Sequence, residues 1–161
     1  MDNTSASWSR SIAVASRPAS RLRTCLYVED SPADILLVEQ LISRRNDLML
    51  MTANAAQLGL EMARNHRPDI ILLDINLPGA SGLDVLAKLR TDRSTAQIPV
   101  SALSSNAYPS QIEQGLKNGF FRYLTKPFKI AEFMVVINDM LLHTNTLATI
   151  PESQEVPPSS R

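Results

Sequence analysis

Short apolar runs alternate with amphipathic stretches along the chain from about residue 22 to residue 143. The clearest apolar run covers residues 70–73, and it leads directly into Asp74 and then into a Pro-Gly break. A continuous apolar run bounded by turn residues is typical of a strand buried on both faces of a parallel sheet. Asp74 is therefore predicted at the carboxyl end of a central strand, where open α/β sheets bind ligands, although aspartate before Pro-Gly is also common in plain loops.

Four further apolar segments predict strands over residues 22–28, 48–53, 98–103 and 120–124. Amphipathic stretches predict helices over residues 32–45, 57–65, 83–90, 109–118 and 130–143. Ser31 and Pro32 are typical of the start of the first helix, and Gly119 is typical of the end of the fourth. A strand–helix unit repeated five times predicts an α/β fold with a parallel sheet, helices on both faces and right-handed crossovers.

Apolar residues at helical spacing predict which faces of these helices are buried. In the second helix the inward residues are predicted to be Leu58, Leu60 and Met62. In the fifth helix the predicted buried stripe consists of Ile130, Phe133, Met134, Ile137, Met140 and Leu141.

The two ends of the chain differ in composition from the middle. Residues 1–20 are rich in serine and arginine, and no acidic residue lies between Asp2 and Glu29, which predicts a flexible basic leader. An acid-poor, arginine-rich leader is also similar to an organelle transit peptide. Residues 146–161 contain three prolines with serine and glutamate, which predicts a disordered tail that is too short for a DNA-binding output domain. One domain is therefore predicted over residues 21–145.

The composition excludes several classes of protein. The chain has 161 residues, with 16 lysines and arginines against 16 acidic residues, and this balance argues against a nucleic-acid partner. Cys25 is the single cysteine, so an internal disulfide and a cysteine-based zinc site are excluded. The sequence has neither a run of about 18 apolar residues nor a secretory signal, so we expect a cytoplasmic protein without a membrane span.

Polar side chains follow four of the five predicted strands at the points where the strands end. Glu29 and Asp30 follow the first strand, Asp74 ends the third, Ser104 ends the fourth and Lys126 follows the fifth. Each also has an ordinary explanation on its own. Glu29 and Asp30 could be charges at the start of a helix, Ser104 a turn residue and Lys126 a surface lysine. Because the carboxyl ends of parallel strands meet at one edge of a sheet, we expect these side chains to converge.

Three converging carboxylates repel one another, by roughly 4 kcal/mol for two unit charges about 4 Å apart at an effective dielectric constant near 20. Either one of them is protonated or a cation lies among them, and magnesium suits a set of oxygen ligands. Such an ion and Lys126 could hold a phosphoryl group against Asp74, whose carboxylate is a competent nucleophile for phosphoryl transfer. Ser104 could donate a hydrogen bond to a phosphoryl oxygen.

At these positions the sequence resembles the receiver domain of two-component signalling, the response-regulator family. The matching motifs are Tyr-Val-Glu-Asp at 27–30, Leu-Leu-Asp-Ile-Asn-Leu-Pro at 72–78, Ile-Pro-Val-Ser-Ala-Leu-Ser at 98–104 and Tyr-Leu-Thr-Lys-Pro-Phe at 123–128. Their order and separation also match, and the stretch around the last motif most resembles receivers associated with hybrid histidine kinases. The resemblance implies a flavodoxin-like, doubly wound sheet of five parallel strands in the order 2-1-3-4-5, with five helices.

The resemblance also implies a metal-dependent phosphoacceptor. Asp74 would accept the phosphoryl group and, with the other acids, would bind Mg²⁺. Asp30 would be a direct ligand, Glu29 would act through water, and the backbone carbonyl of Asn76 would complete the protein ligands. Glu29 stands where aspartate is more usual in the family, but no required group is missing.

The resemblance also implies residues that change position when the domain is phosphorylated. Ser104, which replaces the commoner threonine, would move its hydroxyl toward the phosphoryl group, and Lys126 would pair with phosphoryl oxygens. Tyr123 would change its rotamer with that movement. The Lys126–Pro127 bond is cis in the family, and Ser105 follows the switch serine where a smaller residue is usual.

The function implied is that of a phosphoacceptor module in a phosphorelay. It would take a phosphoryl group from a histidine kinase or a histidine phosphotransfer protein and change the face formed by helix four, strand five and helix five. That face would bind a downstream protein, and pairing of two copies through it is left open. The module would catalyse its own phosphorylation and dephosphorylation, so we do not expect an enzyme acting on a separate substrate.

Three other functions are compatible with this architecture. A phosphohydrolase with an aspartyl-phosphate intermediate would want a second aspartate two residues after the nucleophile, where the chain has Asn76. A flavin or nucleotide carrier would want a hydroxyl- and glycine-rich loop after the first strand, but residues 29–32 begin with two acids that repel phosphate. A phosphorylation-independent interaction module is disfavoured by the intact set of polar residues.

Overall fold

The computed structural model describes residues 21–148. The predicted leader, residues 1–20, lies outside the described residues, and so do residues 149–161 of the predicted tail, which was predicted to begin at residue 146.

Five strands and five helices alternate along the described chain. The strands are β1 (Arg23–Val28), β2 (Leu48–Ala53), β3 (Ile70–Asp74), β4 (Val100–Ser104) and β5 (Tyr123–Thr125). The helices are α1 (Pro32–Ile42), α2 (Ala56–His66), α3 (Gly82–Thr91), α4 (Pro109–Lys117) and α5 (Ile130–Ala148). The strands form one sheet in the order β2-β1-β3-β4-β5, and every neighbouring pair is parallel. The flavodoxin-like topology predicted from the sequence is confirmed.

The central strand β3 lies between β1 and β4, and all five of its residues are buried. Its register pairs Leu73 with Val28 on one side and Asp74 with Leu103 on the other. The last residues of β1, β3 and β4 are therefore nearly level in the sheet. The loops that follow these strands leave from one edge, as expected for parallel strands.

Two hydrophobic layers enclose the sheet because successive side chains of a strand point to opposite faces. Cys25 and Tyr27 of β1 belong to the layer under α1 and α5, whereas Leu26 and Val28 belong to the layer under α2 and α3. Helix α4 contributes a single buried residue, Gly115, so it lies on the sheet with most of its surface exposed.

Two predictions about buried helix residues are wrong. Leu58 is 41% exposed, and the inward face of α2 consists of Gly59, Leu60 and Ala63. Gly59 lies so close to the sheet that a Cβ atom there would be 2.7 Å from Val28 Cγ2, so the helix packs through its smallest residue rather than through Leu58. Ile130 is 54% exposed because it is the first residue of α5, whereas the stripe that follows is buried or partly buried.

Helix α5 also continues past the predicted end at residue 143 and is helical through Ala148, the last residue that the structure describes. The guanidinium of Arg23, at the start of β1, donates hydrogen bonds to Thr144 Oγ1 and Asn145 Oδ1. These contacts hold the last turns of the helix against the edge of the sheet opposite to Asp74. They join residues more than 120 positions apart, which hydrophobic periodicity does not detect.

Candidate functional site

Three carboxyl groups meet at the carboxyl edge of the sheet. Glu29 and Asp30 follow β1, Asp74 ends the neighbouring strand β3, and one oxygen from each residue lies within 4.8 Å of the others. Glu29 and Asp74 are buried, whereas Asp30 is exposed. The sequence placed these three residues at one edge, and the structure brings their oxygens together.

The Glu29 carboxylate accepts hydrogen bonds from three directions. The Tyr27 hydroxyl donates to Oε2 over 2.9 Å, the Ser31 N–H donates to Oε1 over 3.1 Å, and the Lys126 ammonium lies 2.5 Å from Oε2. Burial by itself raises the pKa of Glu29, but these donors outweigh it, Lys126 foremost, so the pKa of Glu29 is lowered. Glu29 is therefore ionised at neutral pH although it is fully buried.

The pKa of Asp74 is shifted in the opposite direction to that of Glu29. Burial, with a smaller contribution from the neighbouring Glu29, raises the pKa of Asp74 to about 6. The N–H of Asn76 donates to Asp74 Oδ1 over 2.9 Å, and this hydrogen bond partly offsets the effect. In the absence of a cation, therefore, Asp74 is the first of these two acids to be protonated as pH falls.

Lys126 follows β5 and directs its ammonium group into the acidic cluster. Its Nζ lies 2.5 Å from Glu29, 3.0 Å from Asp34 and 3.6 Å from Asp74, and its side chain is 12% exposed. Burial disfavours the charged amine, but the hydrogen bonds from Lys126 to Glu29 and Asp34 more than compensate, so the pKa of Lys126 is raised. The peptide bond between Lys126 and Pro127 is cis, as the resemblance implies.

Two residues of this cluster were missed in the sequence. Asp34 lies in the first turn of α1, and because α1 begins soon after Asp30, that turn lies at the same edge of the sheet. Tyr27 lies on the strand that leads to Glu29, and a buried tyrosine usually needs a partner for its hydroxyl. Strand alternation, which places residues 27 and 29 on one side, was the signal that could have found it.

Ser104 ends β4 and is buried beside the cluster. Its hydroxyl donates to the carbonyl oxygen of Asn106 over 2.9 Å and accepts from the Asn106 N–H over 3.2 Å. The Ser104 hydroxyl is thus held by the loop that follows β4.

Tyr123 begins β5 and lines a cleft of about 380 Å³ together with Ser104, Asn106 and Gly115. The ring is partly buried against the core and lies so near α4 that a Cβ atom on Gly115 would be 2.9 Å from Tyr123 Cε2. The roles of Ser104 and Tyr123 as switch residues stay predictions.

The donor set suits a hard divalent cation. Among the described residues, the Lys126 ammonium contacts the carboxyl groups of Glu29, Asp34 and Asp74. Asp30 adds a fourth carboxyl group beside Glu29 and Asp74. The excess of negative charge favours a cation, and all the candidate ligand atoms are oxygens, the type that Mg²⁺ prefers. The three residues whose oxygens lie within 4.8 Å of one another are three of the four predicted metal ligands, and the role of the fourth, the backbone carbonyl of Asn76, stays a prediction.

The fold and this acidic cluster define a class of signalling domain, and comparison with known proteins agrees. Residues 25–138 match the family model of the response regulator receiver domain. The chain therefore belongs to the response regulator receiver family of two-component signalling. It is similar to the polar-differentiation response regulator DivK of Brucella anthropi, with 34% identity over 119 residues that cover 74% of this chain and 96% of the relative. The DivK protein of Brucella ovis is 32% identical over the same length.

Solved structures are similar over the same region. The receiver domain of a putative LuxO repressor from Vibrio parahaemolyticus superposes with a TM-score of 0.75 at 18% identity, covering 81% of this chain and 98% of that one. The receiver domain of a sensor histidine kinase from Pseudomonas aeruginosa PAO1 gives a TM-score of 0.67 at 27% identity, covering 74% and 97%. That structure holds a magnesium ion coordinated in its active-site cleft.

The resemblance to receivers of hybrid kinases stays a prediction. Within residues 21–148, no helix has the length and apolar character needed to cross a membrane.

Proposed function

We propose that this receiver accepts a phosphoryl group on Asp74 from a histidine kinase or a histidine phosphotransfer protein, with Mg²⁺ as the cofactor. The observation that carries the proposal is the convergence of three carboxyl groups within 4.8 Å, with the Lys126 ammonium 3.6 Å from Asp74. A buried carboxylate beside a buried ammonium combines a nucleophile with a charge that can bind phosphoryl oxygens.

The oxygens of Glu29, Asp30 and Asp74, with the backbone carbonyl of Asn76, would hold the magnesium ion. When bound, the ion supplies positive charge that offsets the repulsion among the acids and the charge of the phosphoryl oxygens. The magnesium in the cleft of the similar Pseudomonas receiver supports this assignment. Ionisation of Asp74, whose pKa is raised to about 6, is favoured by any cation that binds beside it.

In the transfer, an oxygen of Asp74 forms a bond to phosphorus while the bond from phosphorus to the donor histidine nitrogen breaks. The leaving imidazole nitrogen keeps the electron pair and takes up a proton. Lys126 pairs with phosphoryl oxygens, and the buried position of Asp74 keeps bulk water away from the acyl phosphate. In hydrolysis, an admitted water molecule bonds to phosphorus as the bond to the Asp74 oxygen breaks, which returns the free carboxylate and releases inorganic phosphate. The domain thus acts on itself rather than on a separate substrate.

The signal follows from the new charge. A phosphoryl group at Asp74 offers acceptors that compete with Asn106 for the Ser104 hydroxyl. Movement of Ser104 opens space in the cleft of about 380 Å³ that Tyr123 lines, and Tyr123 turns into it. The face formed by α4, β5 and α5 changes shape as a shift between two packings, and a downstream protein binds one of them better. We place this exchange in the cytoplasm.

The test is chemical. The protein is incubated with Mg²⁺ and a small phosphodonor such as acetyl phosphate, and intact mass is followed for a phosphoryl adduct stable to acid and labile to base. We expect the adduct in the wild type and in Asp84→Asn, a change in the first turn of α3, and none in Asp74→Asn. Equal labelling of Asp74→Asn contradicts the proposal. Sustained turnover of unrelated phosphate esters favours a phosphohydrolase.

A further inference from the structure

Lys126 is shared unequally among three carboxyl groups. Its Nζ is 2.5 Å from Glu29 and 3.0 Å from Asp34, but 3.6 Å from Asp74. The two shorter contacts are hydrogen bonds, whereas the contact with Asp74 is longer than hydrogen-bond distance. In the unphosphorylated domain, therefore, the ammonium is held by groups other than the phosphoacceptor.

Asp34 is well placed to hold the ammonium without being part of the metal cluster. It lies in the first turn of α1, where its N–H donates to Ser31 Oγ over 3.3 Å, so its backbone position is fixed by the cap of the helix. Its side chain is 38% exposed and contacts Lys126 from the rim of the site. The three carboxyl groups that cluster within 4.8 Å are those of Glu29, Asp30 and Asp74.

We propose that Asp34 is a positioning residue that holds Lys126 away from Asp74 until a phosphoryl group arrives. This inference rests on the proposed function of Asp74. The Lys126 ammonium would exchange Asp34 for a phosphoryl oxygen during transfer, while Glu29 retains its contact. Asp34 thereby slows acceptance of the phosphoryl group and favours the unphosphorylated state. Because Asp34 is partly exposed, releasing Lys126 from it should change the rate by about two- to fivefold.

The experiment compares Asp34→Ala and Asp34→Asn with a matched control, Asp84→Ala. Asp84 is also an acidic residue in the first turn of a helix, so the control reproduces the loss of a favourable helix-dipole charge. Two quantities are measured at saturating Mg²⁺: the rate of adduct formation from acetyl phosphate, and the side-chain ¹⁵Nζ resonance of Lys126, assigned with Lys126→Arg. Urea unfolding confirms that each variant is folded.

We expect Asp34→Ala to shift the Lys126 resonance and to accelerate adduct formation by about two- to fivefold. Asp34→Asn keeps an oxygen that accepts from Lys126, so its effect on both quantities should be smaller, and Asp84→Ala should leave both unchanged. An unmoved Lys126 resonance, equal acceleration in the two Asp34 variants, or slower labelling in Asp34→Ala overturns the inference. If the wild type forms no adduct, the proposed function fails, whereas the resonance still decides whether Asp34 holds the amine.

Discussion

The hydroxyl of Tyr27 donates a hydrogen bond to Glu29 Oε2 over 2.9 Å, and both side chains are completely buried. The two residues are two positions apart, so the end of β1 carries them on the same side of the sheet. The Tyr27 ring belongs to the hydrophobic layer under α1 and α5, while its hydroxyl lies at the acidic cluster. One residue thus connects the packing of the core to the charge state of Glu29.

Tyr27→Phe should destabilise the domain by roughly 1–3 kcal/mol, because it removes a neutral donor from a buried carboxylate and leaves the ring packing intact. The measurement is urea unfolding in magnesium-free buffer. Tyr108→Phe is the control, since Tyr108 is 68% exposed and its hydroxyl can bond to water in either state. Equal stability of Tyr27→Phe and Tyr108→Phe would show that Glu29 does not depend on the hydroxyl.

The fold was predictable because the sheet is buried on both faces. Residues such as those of β3 must then be apolar at consecutive positions, and the sequence shows this directly. The first three site acids were predictable for a related reason, since parallel strands bring their carboxyl ends to one edge whatever the details of the helices.

Other features depend on contacts that patterns do not encode. Leu58 looks like a core residue by its spacing, yet the approach of Gly59 to Val28 turns the helix so that Leu58 is 41% exposed. Asp34 looks like an ordinary first-turn acid, and its contact with Lys126 joins residues 92 positions apart. The hydrogen bonds of the Ser104 hydroxyl to Asn106 likewise depend on the conformation of a loop.

Asp74→Asn should stabilise the metal-free domain increasingly as pH rises. Burial raises the pKa of Asp74 from 3.8 to about 6, so the protonated carboxyl favours the folded state. That contribution is complete below about pH 4 and is lost as pH rises through about 6, whereas asparagine does not titrate. We expect the difference in unfolding free energy between variant and wild type to grow by on the order of 1–2 kcal/mol between about pH 4 and about pH 8.

The variant is compared with the wild type because Glu29 affects the pH dependence of the unfolding free energy in the opposite sense. Its pKa is lowered, so its contribution to stability is lost as pH falls. A difference between Asp74→Asn and wild type that is flat with pH would mean that Asp74 is ionised throughout the range.

Magnesium should stabilise the wild type more at about pH 7.5 than at about pH 5, because protons compete with the ion for Asp74. At an ion concentration ten times the dissociation constant, the gain in unfolding free energy should be about 1.4 kcal/mol. Asp30→Asn should lose most of this gain, since its oxygen lies within 4.8 Å of the other two acids. Thermal unfolding with and without the ion provides the measurement, and an equal gain in Asp30→Asn would exclude Asp30 as a ligand.

Gly115→Ala should change stability little by itself, because two effects oppose each other. Alanine favours a helix over glycine by about 1 kcal/mol. The added Cβ would lie 2.9 Å from Tyr123 Cε2, so the ring must move away from α4. In a Tyr123→Ala background the obstruction is gone, and we expect Gly115→Ala to stabilise the domain by about 1 kcal/mol.

Urea unfolding of the four proteins in this cycle measures the coupling between residues 115 and 123. Gly59→Ala serves as the control, since its Cβ would meet Val28 at 2.7 Å instead, and its cost should be the same with or without the Tyr123 ring. If Gly115→Ala changes the unfolding free energy equally with and without the Tyr123 ring, the ring does not press on α4. If the coupling is present, Gly115→Ala also displaces Tyr123 without adding charge at Asp74, so the ring-proton shifts of Tyr123 should move in the unphosphorylated variant.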